Sequence, residues 1–283
     1  MSVDNSTQKH KARNLLSLHQ QAPLLVLPNV WNPIGARVLQ AQGYPAVATA
    51  SAAISASLGY EDGEKLKRST LIDLIGRIAH SVDVPVSADI EAGYGRSTRD
   101  LDETINEVID SGVVGVNIED SFEEEGVLRS VEEQCQRISV VRQAADRRGM
   151  PLVINARVDS FLSSSFGDYG DATEDAVTRA RAYAEAGADC IYPIGPGDEE
   201  TARELRARIE LPINILVTPT AASLKVLETI GVNRVSFGPF LFRSCLRKFI
   251  DIAETLLNQG DCSCISDMLS KAETAEYLID GNE

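Results

Sequence analysis

Acidic side chains gather where short apolar runs end. In Val86-Ser87-Ala88-Asp89-Ile90-Glu91 the polar residues fall at every second position, so an extended chain sets Ser87, Asp89 and Glu91 on one face. Val116-Asn117-Ile118-Glu119-Asp120-Ser121 ends an apolar run in two adjacent acids, and Asn155-Ala156-Arg157-Val158-Asp159 puts an arginine on the same face as Asn155 and Asp159. A carboxylate taken out of water needs a cation, and a buried guanidinium needs an anion. For Arg157 that anion is Asp89, Glu119 or a substrate carboxylate. With Asp62 added, the set Asp62, Ser87, Asp89, Glu91, Glu119 and Asp120 offers oxygen donors only. Such a set suits Mg2+ or Mn2+, with some coordination positions left to water or substrate. Thr49-Ala50-Ser51-Ala52-Ala53 supplies small residues that let a ligand approach backbone N–H groups, and Pro212-Ile213-Asn214-Ile215 adds an amide.

Other chemistries are missing. His10, His19 and His80 fall in predicted helices, away from strand ends. No lysine sits at a strand end, which argues against a Schiff-base enzyme. Neither C-x-x-C nor H-E-x-x-H occurs, which argues against zinc. Cys135, Cys190, Cys245, Cys262 and Cys264 are odd in number and scattered, the pattern of reduced thiols in a cytoplasmic protein. Lys plus Arg total 27 against 42 Asp plus Glu, a formal charge of -15. A surface that acidic repels nucleic acid and anionic lipid. A small anionic substrate therefore needs a locally positive site, from a metal or an arginine. No apolar run reaches the ~18 residues of a spanning helix, and the polar start of the chain lacks the apolar core of a secretion signal.

The elements that must position these residues alternate. Eight apolar runs, at 24–27, 46–49, 84–88, 115–118, 152–156, 190–193, 213–217 and 234–237, lack polar alternation, as parallel strands covered on both faces do. Amphipathic segments at 33–42, 70–82, 97–111, 131–148, 173–186, 199–209, 221–230 and 240–258 separate or follow them. Glycine closes several of these segments, and Pro212 precedes a strand. Eight βα units predict an α/β fold, a (β/α)8 TIM-type barrel, as one domain over residues 1–283. An extra N-terminal helix is expected at about 6–21 and a helical tail at about 240–283. In such a barrel the carboxyl ends of the strands carry the chemistry.

Together these segments resemble the phosphoenolpyruvate mutase/isocitrate lyase superfamily. The likeness runs from about Leu27 to Phe249, on Leu27-Pro28-Asn29-Val30-Trp31, Ser57-Leu58-Gly59-Tyr60-Glu61-Asp62-Gly63 and the strand-end motifs quoted above. It implies that Asp89 is the direct Mg2+ ligand and that Asp62 and Glu119 hold the metal mainly through waters. It implies that Ser51, with the amides around Thr49 and Ala52, binds the substrate carboxylate, that Arg157 clamps the anionic substrate, and that Asn214 lines its site. It implies that Asp62, Arg157 and Glu119 form the catalytic group. The resemblance also implies a homo-oligomer, a dimer of dimers in which the eighth helix, 240–258, swaps between subunits. Two departures stand out. Ser87 replaces a second strand-three acid. The segment 121–130 (Ser-Phe-Glu-Glu-Glu-Gly-Val-Leu-Arg-Ser), expected to close over the site, lacks the Lys-x-Cys-Gly-His of the lyases, and Cys135 lies too far along to stand in.

Two functions follow. One is a Mg2+-dependent lyase or mutase that cleaves or rearranges a C–C or C–P bond of a small α-oxo or 2-hydroxy carboxylate, or of phosphonopyruvate, through an enolpyruvate-like intermediate. The alternative is a non-catalytic barrel that binds an oxo acid as a sensor or scaffold.

Overall fold

Every strand of the protein pairs in parallel with its neighbours. The structure is a computed structural model that describes residues 5–122, 126–163, 165–167 and 169–278. The strands are β1 (Leu25–Leu27), β2 (Asn29–Val30), β3 (Val47–Thr49), β4 (Val86–Asp89), β5 (Gly115–Glu119), β6 (Val153–Val158), β7 (Cys190–Pro193), β8 (Asn214–Leu216) and β9 (Arg234–Ser236). One ladder runs β2-β3-β4-β5-β6-β7 and a second runs β1-β9-β8. The first predicted strand is thus split. Pro28 has no N–H to give to a ladder, so β1 turns to β9 and β2 turns to β3. Chain continuity through Pro28 joins the two ladders on one side, and the single bridge Ile191–Ile213 joins them on the other. The result is the expected TIM-type α/β barrel, with its ladder interrupted at those two places.

The helices are α1 (Asn5–Gln20), α2 (Pro33–Ala41), α3 (Ser51–Ser57), α4 (Arg68–His80), α5 (Thr98–Asp110), α6 (Val131–Arg147), α7 (Tyr169–Glu185), α8 (Glu199–Arg208), α9 (Leu224–Ile230), α10 (Phe240–Gln259) and α11 (Lys271–Ala275). Their starts follow the sequence closely. Ser97 and Asp100 form a reciprocal capping box on α5, and Ser130 caps α6 through the Glu133 amide. Residues 51–53, noted above as small residues after the second apolar run, are helical. The run of alanine and serine there is a good helix former, and Ser51 opens the short α3. Strand residues such as Val116, Ile118 and Ile154 join helix residues such as Ile75, Ile105 and Val141 in one buried apolar cluster. Among the described residues no helix is long and apolar enough to cross a membrane.

α1 closes the lower end of the barrel. Leu15 and His19 are fully buried there. A Cβ on Gly115 would meet Leu15 Cδ2 at 2.8 Å, so any other residue there would force the buried Leu15 side chain to shift. His19 donates from Nδ1 to the Leu15 carbonyl at 2.8 Å, leaving Nε2 to accept from Arg234 at 3.3 Å. Burial, then the Arg234 charge, lowers the His19 pKa from 6.5 to about 3. The native state holds this ring neutral, whereas the unfolded chain protonates it below 6.5. Its contribution to stability is therefore complete above pH 6.5 and lost progressively as the pH falls toward 3. His19→Gln keeps an acceptor for Arg234 and should flatten the dependence of urea-unfolding free energy on pH across that window. An unchanged slope would assign the acid sensitivity elsewhere.

Candidate active site

β4 ends at the residue on which the rest of the site turns. Asp89 Oδ2 accepts from the Ser51 amide at 3.0 Å and the Ser51 hydroxyl at 2.7 Å. The Asp89 amide donates to Thr49 Oγ1 at 2.9 Å. Pairing of Ala48 with Ser87 brings the end of β3 and the start of α3 to this place. Among the described residues no hydrogen bond reaches Asp89 Oδ1. Asp62 stands at the rim with an exposed side chain. The protein mass around it, and next the Asp89 charge, nonetheless raise its carboxyl above the usual range, against the opposing pull of Arg157.

On the neighbouring strands Glu119 and Arg157 are register partners. Arg157 Nη1 meets Glu119 Oε2 at 2.6 Å, while Nε and Nη2 meet the two oxygens of Asp159 at 2.6 and 2.8 Å. Burial works against the guanidinium charge, but Asp159 and Glu119 hold its pKa well above the ordinary value. Burial pushes Glu119 upward and Arg157 opposes it. Of the anions open to Arg157 from sequence, Glu119 is one that it takes, and Asp159 is one that the motif placed on the right face without a role.

Behind this pair runs a buried chain of polar contacts. The Asp159 amide donates to Asp120 Oδ1 at 2.9 Å. Asp120 Oδ2 accepts from Tyr183 at 2.7 Å and Arg179 at 3.1 Å, and Ser121 donates to Asp159. Burial, then the Asp159 charge, raises Asp120 to about 6. Arg179 and Tyr183 lie one helical turn apart within α7 and 59 and 63 residues from Asp120, and no local spacing signals them. Glu91 is 3% exposed and ties two loops together, accepting from the Tyr94 hydroxyl at 2.7 Å and from the Glu64 amide. Burial raises it to about 7.

The other expected residues divide. Thr49 and Ser51 are buried against Asp89, and Ala52 is half-buried beside them. Asn214 is fully buried and exchanges hydrogen bonds with Ser236 at 3.1 and 3.2 Å, rather than opening to the mouth. Ser87 is buried near Gly115, with its hydroxyl unpartnered. Of the segment 121–130, Ser121 and Leu128 form an antiparallel bridge, and Glu123, Glu124 and Glu125 lie outside the described residues. A cavity of about 690 Å3 has Gly63, Ala92, Glu119, Phe122, Val127 and Arg129 in its lining.

Whether a divalent cation suits these residues has an answer in their arrangement. Among the described residues no three acidic, histidine or cysteine side chains converge tightly enough to ligate one ion. Mg2+ does not demand that, since it keeps several waters and takes one or two carboxylates. Asp89 with a free oxygen, Asp62 raised by the Asp89 charge, and Glu119 close by fit a hydrated cation of this kind.

The family model for phosphoenolpyruvate phosphomutase matches residues 15–257. The chain belongs to that family. A Mycobacterium tuberculosis H37Rv protein whose name assigns no activity is 32% identical to it over 78% of this chain and 80% of its own length. The 2-methylisocitrate lyase of Escherichia coli K12 is 29% identical, over 93% and 90%. A solved structure from Burkholderia cenocepacia J2315, provisionally called a phosphonomutase, is 37% identical with a TM-score of 0.82, covering 87% of this chain and 99% of its own. These relatives place the chain among the lyases and mutases of the phosphoenolpyruvate mutase/isocitrate lyase superfamily.

The Asp159 contacts lead to a direct test. Asp159→Asn leaves Glu119 as the one charged partner of the buried Arg157 and should lower the unfolding free energy in urea by roughly 3 kcal/mol, the scale for breaking a buried pair. A loss within ~0.5 kcal/mol would mean that the pair is solvated and does not fix the arginine.

Proposed function

We propose that the protein is a Mg2+-dependent enzyme that breaks a C–C bond of a small α-oxo or 2-hydroxy carboxylate, leaving an enolpyruvate-like product. The observation that carries this reading is the surplus of carboxylates, Asp62, Asp89, Glu119 and Asp159, around the guanidinium of Arg157 at the strand ends. Asp89 would hold the cation directly, with Asp62 and Glu119 reaching it through water. A bound Mg2+ or Mn2+ supplies Lewis acidity toward substrate oxygens.

The chain's own residues do the rest. Ser51, at the first turn of α3, offers its amide and hydroxyl to a substrate carboxylate once Asp89 turns to the cation. Arg157, held charged by two acids, neutralises charge that develops as the bond breaks. The segment 121–130 contains no cysteine, histidine or lysine to serve the departing group. Asp62 is placed for that task, because a carboxyl raised above the usual range can hold and pass a proton. Rearrangement of a C–P bond uses the same residues, and the name of the Burkholderia relative keeps that reading open. The five free cysteines fit a reducing compartment, the cytoplasm.

Helix α10 supports a homo-oligomer. It has no buried residue, and Leu246, Phe249 and Leu257 lie 43%, 69% and 85% exposed along it. An apolar stripe of that kind needs a cover, and a second copy that exchanges this helix provides one. Phe249→Asp should shift the sedimenting species toward monomer, whereas a wild-type protein that sediments as a monomer would end the proposal.

Asp89→Ala decides the main reading. Oxalate mimics an enolpyruvate product, and its Mg2+-dependent binding, followed by calorimetry, should vanish in the variant. Removing one of two repelling acids offsets the lost Ser51 contacts, so the unfolding temperature should stay within about 4 °C. Wild-type affinity retained in the variant would remove Asp89 from the metal site. Oxo-acid binding without product across a broad panel would favour a sensor.

A further inference from the structure

Asp62 sits on an exposed loop. Residues 58–63 all face solvent, between α3 and the buried Leu66. Asp89, by contrast, closes a paired strand and is tied to Thr49 and Ser51. Without a cation the two carboxylates repel, and the exposed loop is the side that would give way.

A clasp holds that loop. Glu91 accepts from the Glu64 amide at one oxygen and from the Tyr94 hydroxyl at the other, the latter at 2.7 Å. Glu64 in turn accepts from the Tyr94 amide at 2.6 Å. Among the described residues, the non-glycine residues with positive φ are these three, at 57° for Glu64 and 53° for both Glu91 and Tyr94. A side chain in that region crowds the following carbonyl oxygen and costs free energy. That all three lie in one hydrogen-bonded triangle means that their mutual contacts offset the strain.

One half of the clasp is firmly seated. Arg137 of α6 donates to the carbonyls of Ala92 and Gly95, the second at 3.1 Å. A Cβ on Gly95 would lie 2.5 Å from the Leu101 amide nitrogen, so this loop sits hard against the start of α5. The Glu91 carbonyl accepts from the Glu119 amide at 3.0 Å. Glu64 is thus tied to a fixed base. It stands two residues after Asp62, as Glu91 stands two after Asp89.

We propose that Glu91 is a positioning residue, which through Glu64 and Tyr94 holds the loop of Asp62 beside Asp89 so that both carboxylates face one cation. The proposal rests on the metal-site reading above and adds the part of the fold that assembles the site. Glu91 touches neither metal nor substrate in this role, because both its oxygens are engaged in the clasp. Outer partners that orient metal-binding groups typically change metal affinity by about 10–100-fold when removed.

Mn2+ affinity is measured on the full chain from the paramagnetic resonance signal of the free ion. Glu91→Ala should weaken Mn2+ binding by about 10–100-fold. Glu91→Gln can accept from the Glu64 amide and donate to the Tyr94 hydroxyl, so it should recover most of the affinity. A role for the Glu91 charge at the metal would forbid that recovery. Asp62→Asn should weaken Mn2+ as well, and adding Glu91→Ala to it should change the affinity by no more than about twofold, the scatter of independent effects. A purely structural residue would lower the unfolding temperature without moving the affinity of the folded protein, or would weaken both backgrounds alike. Should Glu91→Ala not fold, Tyr94→Phe tests the same clasp through one hydroxyl, with a smaller loss that again disappears in the Asp62→Asn background. Unchanged affinity in these variants, a loss that persists in full beside Asp62→Asn, or Glu91→Gln as weak as Glu91→Ala overturns the proposal. Absence of Mn2+ binding by the wild-type protein would overturn the metal-site reading, and this proposal with it.

Discussion

The contact on which the site depends is the fork between Arg157 and Asp159. Two parallel bonds fix the guanidinium plane, and only then does the third nitrogen reach Glu119 on the adjacent strand. A buried arginine with a single carboxylate could swing, whereas one held by two cannot turn without leaving a charge unpaired. The fork also sets the sign of the mouth. With two acids spent on one guanidinium, Asp62 and Asp89 remain, and the Asp89 charge adds to burial in raising the Asp62 carboxyl. A cation is the simplest relief for that repulsion, which is why the ion pair and the proposed metal site belong to one electrostatic system.

The same fork reaches backward into the fold. Asp159 is anchored through its amide to Asp120, and Asp120 is held by Arg179 and Tyr183 of α7. Asp120 also accepts from the Arg129 amide at 2.8 Å, while the Arg129 carbonyl accepts from Arg179 at 2.9 Å. Arg129 therefore shares its anchor, Asp120, with the arginine at the mouth. A change that loosens Asp120 would disturb both places at once, because leaving any member of such a buried network unpaired is costly.

Much of the frame was legible because parallel strands covered on both faces write unbroken apolar runs, and glycine, proline and serine mark the ends of helices. Pro28 shows the limit. It carries a sequence signal, yet its effect, two pairings for one strand, depends on which neighbours stand at each side. The site was legible as a face but not as a depth. A period of two says that Asn214 points inward, not at which layer. Its register partner is Arg234, whereas Arg157 pairs with Tyr192 and Glu119, and so Asn214 bonds to Ser236 inside the barrel. Partners far apart in the chain, such as His19 and Arg234 at 215 residues, leave no local pattern to find.

The barrel floor bears on the mouth as well. TIM barrels usually fill their interior with branched apolar side chains, yet this one buries Arg234 completely, with the neutral His19 and Asn117 as its hydrogen-bond partners. Burial lowers the Arg234 pKa, and Asp89 is among the groups that pull it back. An anionic substrate approaching a chain of formal charge -15 is repelled at long range and needs positive charge close at hand. On the proposed function, the field that turns an anion away would favour a dication, which Asp89, Asp62 and Glu119 would hold and which would then supply the positive charge that a substrate carboxylate needs.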